Sequence, residues 1–180
     1  MRESGFMRLS RTALRSYCRP NMASNNIPTS AQVVAEYFLW FSNQTGSFIS
    51  NLKLQKLLYY AQGWHLALHK ERLFKDKMEA WVHGPAIPKL YGLYKKFSYN
   101  PIVVAVGKPD VAPEMEKFCQ EIAKVFFPMD AYYLELATHQ EPPWLNARKG
   151  LPPHASCKNP ISESDMLKYF SGLAQNAAKN

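Results

Sequence analysis

Acidic side chains are scarce in this 180-residue chain, 14 against 22 lysines and arginines, and glycines and cysteines are scarcer still. Three cysteines (Cys18, Cys119, Cys157) are odd in number and show no CxxC spacing. That excludes a disulfide framework or zinc ribbon and points to a reducing cytoplasm. Eight scattered glycines supply no GxGxxG, GxxxxGK[ST] or GxSxG, so no phosphate cradle or nucleophile elbow is written in the chain. No apolar run approaches the length of a membrane span, and no membrane partner is expected. No internal repeat is present.

What is present is a 47% hydrophobic, 13% aromatic composition, that of one globular domain with a sizeable core. The net charge of +8 divides evenly. Residues 1–21 carry Arg2, Arg8, Arg11, Arg15 and Arg19 against Glu3, and the other +4 is dispersed over the remainder. Charge alone therefore permits a nucleic-acid partner without requiring one. Residues 1–26 lack apolar periodicity and are similar in composition to a transit peptide. They read as a flexible basic extension with no part in the fold, with Met22 as an alternative translation start. Residues 27–174 read as the domain and 175–180 as a polar tail.

The stretch 51–70 organises the rest. Leu54, Leu57, Leu58, Ala61, Trp64, His65 and Leu68 recur at helical period, marking an amphipathic helix capped by Ser50 or Asn51. Lys53, Lys56 and Tyr60 fall beside the leucine stripe and read as a wetter basic-aromatic strip. Gly63, costly in mid-helix by about 1 kcal/mol, implies close approach by another element. Before it, Thr29 and Gln32 read as a capping box for a helix burying Val33, Val34, Tyr37, Phe38 and Phe41, closed near Gly46. After it, Leu73-Phe74 and 78–83 suggest a small hairpin stopped by Gly84-Pro85. Pro88 starts a helix, and the β-branched run 102–106 (IVVAV) is able to join the hairpin. Further helices follow at Met115–Phe126, after Asp130 with Tyr133, Leu136 and Ala137 inward, and after Ser162. Trp144 to Arg148 forms one turn. The fold class is mainly α (α+β): a compact helical domain with a small antiparallel β element after the central helix.

Chemistry-bearing patterns are weak. His65 and His69, four apart, can meet one metal, yet Leu66 replaces the glutamate of HExxH and no third ligand is set by spacing. His65 reads as packed and His69 as solvated. His139 and Glu141 lie in a proline-rich loop, where a turn-stabilising role is commoner than acid–base work. Arg148 is placed to pair with Glu141 or to stack on Trp144. Trp81, His83, His139, Trp144 and Arg148, with the Lys53, Lys56 and Tyr60 strip, form the candidate partner-binding set. No catalytic, metal or cofactor site is assigned.

LKLQKLLYYAQGWHLALH (52–69), EAWVHGPAIPKLYGLY (79–94) and LATHQEPPWLNAR (136–148) together resemble the Panacea domain. This is the SocA-like antitoxin family, which includes phage-associated GepA-type proteins. The resemblance implies a non-enzymatic bacterial or phage protein that neutralises a cognate protein toxin by direct binding. A nucleic-acid-binding regulator using Lys53, Lys56, Lys95, Lys96 and the arm is the second reading, and a histidine-based metal hydrolase the third.

Overall fold

The computed structural model describes Leu9 and residues 29–179. Among these residues, seven α-helices surround one another with a two-stranded sheet set between the second and third. They are α1 (Ala31–Thr45), α2 (Asn51–His69), β1 (Glu79–Trp81), β2 (Gly84–Ala86), α3 (Pro88–Tyr94), α4 (Pro113–Phe126), α5 (Ala131–Thr138), α6 (Pro142–Arg148) and α7 (Glu163–Lys179). A 3-10 turn, Lys95–Phe97, extends α3. No helix among the described residues is long and apolar enough to cross a membrane.

Local sequence sets the helix ends. Ser30, Ser50 and Asp130 each accept an amide hydrogen bond from the first turn of α1, α2 and α5. Pro88, Pro113 and Pro142 open α3, α4 and α6, where a missing N–H costs nothing. Gly46 closes α1 at φ 66°. The Thr29 capping box does not form: Ser30 caps instead, Gln32 bonds Glu36, and Thr29 bridges to Phe74. Ser162 accepts the amide of Asp165 as expected.

Helix α2 is the axis of the molecule, packing against α1, α3, α4, α5, α7 and β2. It is not amphipathic in the usual sense, because all but Leu52, Leu68 and His69 are buried. The approach expected at Gly63 is made by α7: a Cβ there would lie 2.1 Å from the Phe170 ring. Phe170 packs edge-on to Trp64, Tyr59 and Tyr60, closing the core around that crossing.

Five further expectations are corrected. The hairpin pairs Glu79 with Ala86, Ala80 with Pro85 and Trp81 with Gly84, so Gly84-Pro85 belongs to a strand and does not end one. The run 102–106 stays apart from it, held by a Ser50–Pro101 bridge and an Ile102-to-Ile49 hydrogen bond. In α5, Leu134 and Thr138 point inward, while Tyr133 and Leu136 are exposed. Helix α7 continues through residues read as a polar tail. Leu9 is 2% exposed and joins the core, so the basic extension is not wholly apart from the fold; its other residues lie outside those described.

Candidate functional site

The strip read as wet is dry. Lys53, Lys56 and Tyr60 are 8%, 1% and 0% exposed, so the assignment of that helix side to solvent is wrong. Each finds a partner inside. Lys53 Nζ donates to the Phe127 carbonyl at 2.6 Å, satisfying the C-terminus of α4. Lys56 Nζ donates to the Pro85 carbonyl at 3.1 Å beneath the hairpin turn. Burial pulls its ammonium down to about 7, with Glu135 opposing the shift. Gly84, at φ +87°, makes this possible: a Cβ would meet Thr138 Oγ1 at 2.6 Å and Lys56 Nζ at 2.7 Å.

The remaining polar groups of α2 do the same work. Gln55 Oε1 accepts the Ile87 amide, and Gln62 Oε1 accepts those of Leu73 and Phe74 while its Nε2 donates to the Phe74 carbonyl. Asn51 donates to the Tyr91 carbonyl, and His65 Nδ1 bonds the carbonyl of Glu71. Backbone groups of the irregular residues 71–74 and 87, together with carbonyls of β2 and α3, are thus hydrogen-bonded by one helix.

Glu141, the N-cap residue of α6, is the acidic counterpart. Tyr59 Oη donates to one carboxylate oxygen at 2.6 Å and Tyr60 Oη to the other at 3.0 Å; Tyr169 adds a third hydroxyl. Burial raises the carboxyl to about 7 against the lowering influence of the three phenols, and burial with Glu141 alongside raises both α2 tyrosines. Glu141 is therefore the partner of neither Arg148 nor His139.

Arg148 ends α6 and is 1% exposed. Its Nη1 donates to Ala80 O at 3.0 Å, and Nη2 donates to Pro152, Pro153 and Ala155 carbonyls at 2.7, 3.2 and 2.6 Å. The guanidinium lies 4.6 Å from the Trp144 ring centre, the stacking expected from the four-residue spacing. Trp144 Nε1 donates to Trp81 O at 3.0 Å, and the His139 ring stacks on the indole at 4.3 Å. Burial lowers the His139 imidazole, opposed by Glu135. The arginine, tryptophan and histidine form a layered clamp that fixes the hairpin and the 149–155 connector to α6.

The structure therefore brings Trp81, His139, Trp144 and Arg148 together, and puts Lys56 beneath the same hairpin. His83 stands outside this interior, its side chain 77% exposed and paired with Glu135 at 2.8 Å. Trp81 is half-buried, its indole donating to Glu79 and packing edge-on to Tyr91. His65 and His69 lie with ring centres 4.4 Å apart, and both pack against Phe118; His69 is half-buried, not solvated. Burial holds His65 down at about 4. No group of three metal-ligating side chains occurs among the described residues.

Tyr59, Gln55, Gln62 and the carboxylate of Glu141 escaped the reading of the sequence. One signal was available: residues 51–69 contain no Asp or Glu at all, whereas a solvated helix face ordinarily mixes both signs.

The model of the antitoxin SocA-like, Panacea domain family matches residues 54–145, and the chain belongs to that family. The match runs from α2 into α6 and contains Lys56, Tyr59, Tyr60, Glu141 and Trp144. No curated protein and no solved structure matches the chain.

Proposed function

We propose that this chain is an antitoxin that neutralises a protein toxin by direct binding, without catalysing a reaction. The observation that carries the reading is where its reactive groups sit. Lys56, Glu141 and Arg148 are each 4% exposed or less, and all hydrogen-bond within the chain. Polar groups arranged in this way hold a rigid framework; they do not line a cleft that admits substrate. The family supports the antitoxin role specifically.

The test uses the product of the reading frame adjacent to this chain's gene. Its expression alone is expected to arrest growth. Co-expression with this chain restores growth, and the two proteins co-purify at fixed stoichiometry. Rescue without a complex, or no rescue, would overturn the proposal. The nucleic-acid reading makes a different forecast, binding that weakens steeply between low and moderate salt.

A further inference from the structure

Among the described residues, the β-branched run 102–106 is left without a strand partner along most of its length. Burial nevertheless alternates along it as in a half-covered strand. Ile102 is buried, Val104 and Val106 are partly buried, and Pro101, Val103, Ala105 and Gly107 are exposed. The Ile102 amide and the Val104 carbonyl bond toward Ile49 and Asn43. Successive amides of an extended chain point to opposite edges, so those of Val103 and Ala105 face away. Among the described residues neither donates to any acceptor.

The flanks of this edge are unusually apolar and basic. In the antiparallel register set by Ser50 and Pro101, Phe48 falls opposite Val103; the two are 75% and 78% exposed. A groove of about 290 Å³ runs alongside, lined by Leu93, Lys96, Phe97, residues 104–106 and Glu36 of α1. Residues 84–109 carry Lys89, Lys95, Lys96 and Lys108 and no acid. Lys108 is committed to Glu116.

We infer that residues 102–106 form a docking edge, to which an extended segment of a protein partner adds as a strand, its acidic side chains meeting Lys95 and Lys96. This rests on the protein-partner reading above and names the contact. Main-chain pairing at Val103 and Ala105 supplies affinity, and alternate side chains enter the groove. The outward amides of Val103 and Ala105, which a peptide backbone matches by strand pairing, favour a protein over nucleic acid.

The test is a selection of phage-displayed random peptides, about strand length or slightly longer, on the immobilised full chain. Peptides alternating Asp or Glu with apolar residues are expected. Ala105→Pro, which removes an edge N–H, and Val103→Glu should each weaken their binding about tenfold. Both variants should keep a melting midpoint within about 2 °C of wild type. Enrichment of peptides without acids, no enrichment, or binding indifferent to both variants overturns the inference. So does a dimer in light scattering that Ala105→Pro abolishes, which would seat a second copy there. Uridine-rich oligonucleotide binding lost in Lys95→Glu/Lys96→Glu but kept in Ala105→Pro would assign the lysines to RNA and overturn it too. Peptides are read without the toxin, so a chain that selects them yet fails to rescue cells refutes the antitoxin reading alone.

Discussion

Helix α2 and the extended segment 101–107 invert the usual relation between side-chain type and burial. The helix buries two lysines, two glutamines and two tyrosines, while the segment and its neighbour expose valine and phenylalanine. The difference lies in what each region must satisfy. Helix α2 is enclosed on nearly every side, and its polar side chains supply partners to backbone groups of the hairpin and of the irregular stretches that cover it. The extended segment has no such obligation inward, since Ile102 already fills the core side. One region is closed by its hydrogen bonds; the other is left with donors facing out.

Breaking the closed region should have the largest effect. Arg148→Met keeps the bulk over Trp144 but leaves Ala80, Pro152, Pro153 and Ala155 carbonyls without their donor. A loss of about 3–5 kcal/mol is expected in urea unfolding, since each buried carbonyl left without a donor costs about 1–3 kcal/mol. A loss below about 1 kcal/mol would mean that water replaces the guanidinium.

Gly63→Ala tests the crossing of α2 and α7. Helix propensity alone would favour alanine by about 1 kcal/mol. The added carbon meets the Phe170 ring at 2.1 Å, so overpacking wins, with a net cost of about 1–3 kcal/mol. Phe170→Leu in the same chain should recover part of it, giving a double-mutant cycle far from additive. Full additivity would place the clash elsewhere.

Glu141 gives the interior a pH dependence. Its carboxyl titrates at about 7 in the fold against an ordinary 4.5, so the fold favours the protonated acid. The stability it contributes is fully present below 4.5 and is lost as pH rises through 7. Lys56, depressed from 10.5 to about 7, acts in the next window: its contribution is present above 10.5 and is lost as pH falls through 7. His65, lowered from 6.5 to about 4, slopes opposite to Glu141 in the acid range. Comparing wild type with Glu141→Gln cancels both. The difference in unfolding free energy should change between pH 4.5 and 7 and be flat above 8; no change in the lower window would remove Glu141 as its source.

Much of this architecture was legible from the chain. Caps at Ser50, Asp130 and Ser162, Pro88 at a helix start, the Gly63 approach and the Arg148–Trp144 stack all depend on neighbours a few residues apart. The polar interior was not legible. Tyr59 meets Glu141 across 82 positions, and Lys56 meets Pro85 across 29. Nothing local distinguishes a lysine bound to a distant carbonyl from one in water. The extended segment 102–106 was visible as a β-branched run, but its failure to join the hairpin is a tertiary outcome: β1 receives Asn159 and Pro160 on its other edge.

The smallest effect is expected at the open region, and it sharpens the contrast most. Val103→Glu puts a charge on a side chain already 78% exposed, opposite an exposed Phe48, with no hydrogen bond to lose. Little transfer free energy is forfeited, because little of the side chain leaves water on folding. The change in stability should stay within about 0.5 kcal/mol. Lys56→Glu, the same new charge placed on α2, would set a carboxylate against the Pro85 carbonyl in a buried site and should unfold the chain outright. Thermal melts of the two variants decide between these cases. A Val103→Glu chain that melts several degrees low would mean that Phe48 and Val103 pack on each other enough to count as core. The open edge would then be part of the closed region after all.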